Sequence, residues 1–337
     1  MKVFMIGGTG LIGSVAAEEL INRGHQVSCL SLPPLPSGSV LPKDMNVEFG
    51  NFMEMSDDEL KQKMQGFDAF VFAAGIDERI TGPAPIYDLF KKFNIDALER
   101  ILKFAKEVGL KHAVVCGSYF TYFERVRPKD ELYKWHPYIR SRVDQLNMSL
   151  SFADENFDVA VLELPYIFGT QPGRKPVWVF LVEMLLKMGK KTMYPKGGTT
   201  MLTVKQVGQA IAGALEKNKG GNAYPIGYYN MKWPEMLKIF HKYMGVPDRK
   251  IITLPTFLIK MSARKTLKEH IKANLEPGLH PVKFTSLQCS DQFIDKSLAC
   301  DFLGVQDDDI EAAIAESVKL SMEIINKNLE VIDMKGE

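Results

Sequence analysis

The sequence predicts an α/β protein with a doubly wound parallel sheet of the Rossmann type and a smaller, mainly helical C-terminal lobe. Three observations predict this fold. Short, continuously apolar runs alternate with longer helical patterns, a glycine-rich turn joins the first run to the first helix, and the alternation ends after Pro165. Continuously apolar strands are typical of parallel sheets that helices cover on both faces.

The individual elements follow from these patterns. Strands are expected, in chain order, at "KVFMIG", "HQVSCLSL", "NVEFG", "DAFVFAAG", "HAVVCGS", "DVAVLELP" and, after a break, "NAYPIG". Helices are expected at "LIGSVAAEELINRG", from Ser56 onward, at "APIYDLFKKFNIDALERILKFAKEVGL" and over residues 136–154. Ser56 is a good N-cap because Glu59 follows three residues later. "DDDIEAAIAESVKLSMEIINKN" is expected to form a closing helix, since acidic residues in the first turn suit the helix dipole.

The composition argues against several classes of function. The chain has 337 residues, of which 46% are hydrophobic and 25% charged, and its formal net charge is +1. This balance does not indicate a nucleic-acid partner. The four cysteines, Cys29, Cys116, Cys289 and Cys300, form no Cys-x-x-Cys pair, and with the six histidines they show no metal-ligand spacing. We therefore expect no metal site and a reduced, cytoplasmic setting.

We expect no association with membranes. No stretch approaches the roughly 20 apolar residues that a membrane span requires. Residues 254–275 are apolar first and then basic, which leaves two interpretations open. We favour a helix of the lobe with a solvated basic face, and the alternative is a helix that lies on a membrane surface.

The stretch "GGTGLIG" lies between the first strand and the first helix, with Gly7, Gly10 and Gly13 three residues apart. Glycines allow a tight turn, the approach of a pyrophosphate to the backbone, and close packing of helix on strand. The helix N-terminus then offers N–H groups and the positive end of its dipole to the phosphates. The stretch therefore predicts a dinucleotide site, and a glycine turn that binds nothing is the alternative.

Several segments resemble the extended branch of the short-chain dehydrogenase/reductase superfamily, which includes NAD(P)-dependent epimerases and dehydratases. These segments are the glycine-rich stretch, "FVFAAG", "FNIDALERILKFAKEVGLKHAVVCGS", "YIRSR", "LELPYIFG" and "MLTVKQV". The resemblance covers most of the chain and is weak in the C-terminal lobe. It implies a nicotinamide cofactor. The residues that it assigns to the cofactor site are Gly7, Thr9, Gly10, Leu11, Ile12, Gly13, Ser31, Asn51, Phe52, Ala73, Ala74, Gly75, Asn94, Pro165, Ile167 and Phe168. For Asn94, a plain surface amide is the alternative.

The alternation of strands and helices, and its end after Pro165, also predict a division of the chain. Residues 1–168 are expected to form the NAD(P)-binding domain, to which residues 199–227 return. Residues 169–198 and 228–295 are expected to form the substrate lobe, and residues 296–337 the closing helix and tail. A homodimer is expected through the helices of residues 85–107 and 136–154, which this superfamily pairs between subunits.

The end of the second strand bears on the choice between NADP and NAD. Ser31 stands where an acidic residue would bind the adenosine ribose of NAD. Without that carboxylate a 2′-phosphate is admissible, so NADP is the expected cofactor. No arginine follows to bind the phosphate, and Lys43 is the nearest later base. NAD therefore stays open.

The stretch "HPYIRSR" is expected to carry the chemistry. Tyr138 and Arg142 are four residues apart and so lie on one face of a helix. In the superfamily a tyrosine exchanges a proton with the substrate oxygen, a lysine four residues later lowers the pKa of the phenol, and a serine orients the substrate. The resemblance gives these roles to Tyr138, Arg142 and Ser118.

Arg142 stands in place of the superfamily lysine and leaves the activity open. Bringing a phenol with a pKa of about 10 near neutrality requires roughly 4 kcal/mol. A guanidinium supplies charge but cannot release a proton. We expect slower or narrower chemistry rather than none. The alternative is that Tyr138 is a packed aromatic residue and Arg142 a solvated charge.

The expected substrate is a small, lipophilic, non-nucleotide carbonyl or alcohol. Sugar-nucleotide enzymes of the superfamily usually have an asparagine after the sixth strand and an arginine before the seventh-strand motif, whereas this chain reads "PYIFGTQPG" and "YPKGGTTMLTVKQ" there. The lobe also contributes large apolar side chains, for which lobe core is the alternative: Trp178, Phe180, Met184, Leu185, Phe257 and Met261. Two other functions remain open, a sugar-nucleotide epimerase or dehydratase and an NAD(P)-binding redox sensor without turnover.

Overall fold

The computed structural model describes residues 1–38, 40–327, 329 and 331–332. Its strands are β1 (Lys2–Ile6), β2 (Gln26–Ser31), β3 (Asn46–Phe49), β4 (Ala69–Phe72), β5 (Thr81–Pro83), β6 (His112–Cys116), β7 (Asp158–Glu163), β8 (Tyr166–Phe168), β9 (Lys191–Pro195), β10 (Gly198–Thr203), β11 (Gly221–Pro225), β12 (Tyr229–Lys232), β13 (Lys250–Leu254), β14 (Leu275–Pro277) and β15 (Asp291–Gln292).

The α-helices are α1 (Leu11–Asn22), α2 (Asp57–Met64), α3 (Tyr87–Phe90), α4 (Ala97–Glu107), α5 (Phe120–Val126), α6 (Leu132–Trp135), α7 (Pro137–Leu150), α8 (Val179–Lys187), α9 (Val204–Lys217), α10 (Trp233–Tyr243), α11 (Thr256–Lys272), α12 (Pro281–Gln288), α13 (Cys300–Leu303) and α14 (Ile310–Lys327). A π-helical turn, Lys91–Asp96, joins α3 to α4. Among the described helices, none combines the length and the apolar character of a membrane span.

A seven-stranded parallel sheet, in the order β11-β7-β6-β4-β1-β2-β3, is the centre of the fold. The predicted fold class is confirmed. The chain leaves β1 toward β2 and β3 and then returns to β4 on the other side of β1. The strand order therefore reverses between β1 and β4, and such a switch point opens a crevice at the carboxyl ends of the two strands.

The sheet is buried on both faces because its strands are apolar at successive positions. Val3 and Met5 belong to the core on one face, and Phe4 and Ile6 to the core on the other. This follows from the two-residue period of a strand. Helices α1 and α9 cover the first face, and α2 and α4 cover the second.

The predicted helix boundaries are largely observed, with one difference. Ser56 and Glu59 form the reciprocal capping box that starts α2. The long helix expected over residues 84–110 instead spans α3, the π-helical turn and α4, and the N–H of Ala97 donates to the carbonyl of Lys92, five residues earlier. Apolar periodicity does not reveal such a turn, because the buried face continues through it.

The lobe combines helices with three small sheets. Strand β10 pairs with β8, β12 and β15, strand β9 pairs with β13, and β14 pairs with β5. Helices α8, α10 and α14 pack around a second apolar core. Helix α11 buries none of its residues. The division at residues 168, 198, 227 and 295 stays a prediction, and part of the tail expected within residues 296–337 lies outside the described residues.

Candidate functional site

The glycine-rich loop is closely packed at the switch point. Gly7 has φ +85°, and a Cβ built there would lie 2.5 Å from the carbonyl oxygen of Ala73, beyond β4. A Cβ on Gly13 would lie 2.1 Å from the carbonyl oxygen of Gly7. Any larger residue at either position would push the first turn of α1 away from the ends of β1 and β4.

The loop fits a dinucleotide pyrophosphate. Gly10 is the N-cap of α1, and among the described residues no group accepts a hydrogen bond from the N–H of Leu11 or of Ile12. These N–H groups are free donors at the positive end of the helix. The backbone of Thr9 is held from two sides, since its N–H donates to Oγ of Ser31 at 3.3 Å and its carbonyl accepts from Nε2 of Gln171 at 2.9 Å.

Three of the residues assigned to the cofactor site, Ser31, Asn51 and Phe52, pack in loops or against the sheet. Ser31 is buried, and its Oγ serves the glycine loop. Asn51 closes a turn after β3, where its Oδ1 accepts from the N–H of Met53 at 3.1 Å. Phe52 packs edge-on against Phe72 of β4, with ring centroids 6.3 Å apart. The role of these residues in binding a cofactor stays a prediction.

Asn94 is fully buried and fixes the loop after β4. Its Oδ1 accepts from the N–H of Ile76 at 2.9 Å, and its Nδ2 donates to the carbonyl of Ile76 at 3.1 Å. A Cβ on Gly75, which has φ +124°, would lie 2.6 Å from that Oδ1. The surface-amide alternative is therefore excluded. These contacts fix the backbone at Ile76, directly after Ala73, Ala74 and Gly75, whose contact with a cofactor stays a prediction.

Tyr138 and Arg142 meet as their spacing on α7 predicts. Nε of Arg142 donates to the hydroxyl oxygen of Tyr138 at 3.1 Å, and Nη2 of Arg142 donates to the carbonyl of Ile76 at 3.3 Å. Tyr138 is only 4% exposed and packs against Phe90, with ring centroids 5.5 Å apart. The phenol thus lies beside the loop after β4, and Arg142 is not a solvated charge.

Burial controls the protonation of this phenol. Burial raises the pKa of Tyr138, the charge of Arg142 opposes that rise, and the charge of Glu78 adds to it. The net shift is upward, because the desolvation of the phenolate outweighs the attraction of the guanidinium. Arg142 lowers the pKa of the phenol relative to burial alone, and its catalytic role stays a prediction. A phenol whose pKa is raised stays protonated at neutral pH.

Ser118 lies at the end of β6, on the same edge of the sheet. It is buried, its Oγ accepts from the N–H of Phe120 at 3.4 Å, and its carbonyl accepts from the hydroxyl of Thr121 at 2.7 Å. Phe120 packs edge-on against the ring of Tyr138, with centroids 6.3 Å apart. The predicted catalytic role of Ser118 stays a prediction.

Comparisons with known proteins identify the family. Residues 3–227 match the NAD dependent epimerase/dehydratase family. The chain belongs to this family. No curated protein sequence is significantly similar to it.

Solved structures of the same fold agree with this membership. The crystal structure of gox2253 has a TM-score of 0.74 at 18% identity, and the match covers 94% of this chain and 96% of the gox2253 chain. The Bordetella bronchiseptica enzyme WbmH in complex with NAD+ has a TM-score of 0.66 at 17% identity, with 96% and 98% covered. UDP-glucose 4-epimerase from Bifidobacterium longum in complex with NAD+ and UDP has a TM-score of 0.65 at 14% identity, with 97% and 99% covered. At these identities the similarity concerns the fold.

In this epimerase/dehydratase member, the segment after β7 belongs to the lobe core. Phe168 is fully buried and stacks on Trp178, with ring centroids 4.4 Å apart. The carbonyl of Ile167 accepts from Nε1 of Trp178 at 2.8 Å. The side chain of Phe168 therefore faces the lobe core, and the contact of Pro165, Ile167 and Phe168 with a cofactor stays a prediction.

The apolar residues that suggested a lipophilic substrate do not gather in one pocket. Trp178 and Leu185 are buried in the lobe core, and Met184 packs against it. Phe257 and Met261 lie on α11 with 62% and 59% exposure, and Phe180 is exposed on α8. The sequence could not distinguish these locations, because an apolar side chain looks the same in a core, in a pocket or on a surface.

Glu163 forms a buried ion pair with Arg125. It is fully buried at the end of β7, where Nη1 and Nη2 of Arg125 each donate to it at 2.6 Å and Oγ1 of Thr121 is in contact with it. This fork-to-fork pairing neutralises the buried carboxylate. The glutamate therefore joins α5 to the sheet.

The sequence-based site missed two residues. Glu78 follows β4 and acts electrostatically on Tyr138, Tyr119 and Tyr166. Gln145, fully buried on α7, accepts a hydrogen bond from Arg142 at 2.9 Å. Two signals could have found them, since Glu78 lies just beyond the carboxyl end of a strand at the switch point and Gln145 lies three residues after Arg142 on the same helical face.

Proposed function

We propose that the protein is an NAD-dependent enzyme that oxidises and reduces a secondary alcohol of a sugar nucleotide, as an epimerase or dehydratase does. Tyr138 would exchange the proton with the substrate oxygen. The observation that carries this proposal is the 3.1 Å hydrogen bond from Arg142 to the Tyr138 hydroxyl beside the loop after β4. Membership of the epimerase/dehydratase family supports it.

A bound nicotinamide would supply or accept the hydride. The chain's own residues then have separate tasks. The N–H groups of Leu11 and Ile12 would bind the pyrophosphate, and Asn94 would hold the backbone around Gly75 in place. The protonated Tyr138 would donate to a substrate carbonyl oxygen, and Arg142 would balance the charge left on the phenolate. In a buried site this compensation is stronger than in water.

NAD is favoured over NADP on two grounds. The hydroxyl of Ser31 is engaged by the glycine loop, and the following residues up to Lys43 contain no base to bind a 2′-phosphate. Two of the solved relatives are described in complex with NAD+. The sequence-based expectation of NADP stays a prediction, and titration of the protein with both nucleotides under the same conditions decides between them.

A sugar nucleotide is favoured over a lipophilic ketone because the apolar side chains of the lobe lie in its core or on its surface. The solved relatives include an epimerase for UDP-glucose.

A homodimer through residues 85–107 and 136–154 remains part of the proposal, and light scattering of the purified protein tests it.

Replacing Tyr138 tests the proposed function. A panel of sugar nucleotides and ketones is assayed with NAD and NADP, and Tyr138→Phe is expected to lower turnover by about 100-fold or more, because it removes the exchangeable proton. The affinity for the cofactor should not change. Phe90→Leu, which alters packing against the same ring, is the control. Full activity of Tyr138→Phe would contradict the proposal, and cofactor binding without turnover on any substrate would favour a sensor.

A further inference from the structure

The amide of Gln145 joins Arg142 to a backbone carbonyl on another helix. Its Oε1 accepts from Nη1 of Arg142 at 2.9 Å, and its Nε2 donates to the carbonyl of Asn94 at 2.6 Å. The side chain is fully buried. A flipped amide would turn its NH₂ toward the guanidinium and its oxygen toward the carbonyl, so the two partners fix its orientation.

The carbonyl of Asn94 belongs to the π-helical turn, which packs against α7. In this turn the hydrogen bonds span five residues, as between the N–H of Ala97 and the carbonyl of Lys92. Such turns are rare and occur often at functional sites. Here the turn presents the side chain of Asn94 to the loop after β4 and its carbonyl to Gln145.

The guanidinium of Arg142 has three described partners. Nε donates to Tyr138, Nη1 to Gln145 and Nη2 to the carbonyl of Ile76. Because the group is planar and rigid, acceptors at Nη1 and Nη2 fix the direction of the Nε–H. Loss of the Gln145 acceptor would leave a buried N–H without a partner and allow the guanidinium to turn away from the phenol.

We propose that Gln145 is a positioning residue, which anchors the guanidinium of Arg142 to the π-helical turn and thereby holds the Nε–H of Arg142 on the Tyr138 hydroxyl. This inference rests on the proposed function, in which that hydroxyl exchanges the proton. It also gives a reason why arginine serves at this position. A planar cation needs acceptors on both of its outer nitrogens, and the chain supplies Gln145 and Ile76.

Kinetics of Gln145 variants are the first test. Gln145→Leu removes both hydrogen bonds at similar volume, and kcat is expected to fall about 10- to 100-fold from misplacement alone. KM and the cofactor Kd should stay unchanged. Gln145→Glu keeps an acceptor for Arg142 but loses the donor to the Asn94 carbonyl, so its kcat should lie between those of the wild type and Gln145→Leu. Asn147→Leu, an exposed amide on the same helix, is the control and should match the wild type.

A second readout needs no substrate. With ¹⁵N-labelled arginine, the Nε–H resonance of Arg142 is assigned through its loss in Arg142→Lys, and its exchange with water is measured. Exchange should be slow in the wild type, intermediate in Gln145→Glu and fastest in Gln145→Leu. Slow exchange and unchanged kcat in Gln145→Leu would overturn the inference. If exchange is faster in Gln145→Leu but the wild type turns over no substrate of the panel, the positioning role is supported and the proposed function is contradicted.

Discussion

At the residue scale, the protonation of Tyr138 depends on charges that belong to different segments. Arg142 comes from the same helix, and Glu78 from the loop after β4. Burial raises the pKa of Glu78, and the neighbouring Asp77 raises it further. When ionised, this carboxylate disfavours the phenolate form of Tyr138.

Glu78→Gln is expected to lower the pKa of Tyr138, because it removes the negative charge that opposes ionisation of the phenol. If the protonated phenol is the active form, activity is lost as pH rises through that pKa. The loss should therefore begin at lower pH in the variant, which the pH dependence of kcat/KM measures. Glu99→Gln, exposed on α4, is the control. An unchanged alkaline limb in Glu78→Gln would mean that Glu78 does not act on the phenol.

At the element scale, α2 depends on its first turn because it is short and only Leu60 and Met64 bury it in the core. Ser56→Ala removes the oxygen that accepts from the N–H of Glu59 and breaks the capping box. The free energy of unfolding is expected to fall by about 1 kcal/mol, as measured by urea denaturation. Ser56→Thr retains the oxygen and should stay close to the wild type. Equal losses in the two variants would show that the cap is not the cause.

How far the elements could be predicted depends on what local sequence encodes. β1 and β4 were predictable because strands buried on both faces have apolar residues at every position. Ser56 with Glu59, and Tyr138 with Arg142, were predictable because their partners lie within one turn of helix. The π-helical turn was not, since its register depends on packing against α7 rather than on its own residues.

Across the whole molecule, the parts that the sequence did not predict are contacts between distant segments. Gln145 reaches Asn94 across 51 positions, and Gln171 reaches Thr9 across 162. Polar pairs of this kind leave no periodic signal. The expectation of a lipophilic substrate drew on composition, which counts apolar side chains in the lobe and does not locate them.

Helices α9 and α11 differ in how firmly the fold holds them. α9 buries 9 of its 14 residues, whereas α11 buries none of its 17. Local opening of α11 exposes little apolar surface, so it should cost much less free energy than opening of α9. Hydrogen exchange followed by mass spectrometry should show fast exchange over Thr256–Lys272 and slow exchange over Val204–Lys217. Equal protection would mean that another molecule or subunit covers α11 in solution.

Because α11 is expected to open without the rest of the fold, a protease should cut the native chain within this helix. α11 carries five sites for trypsin, at Lys260, Arg264, Lys265, Lys268 and Lys272. Brief digestion of the folded protein should therefore begin within this helix and, depending on the site, separate the first 260–272 residues from the last 77–65. The C-terminal fragment would stay attached through the pairing of β14 with β5 and through α14 in the lobe core.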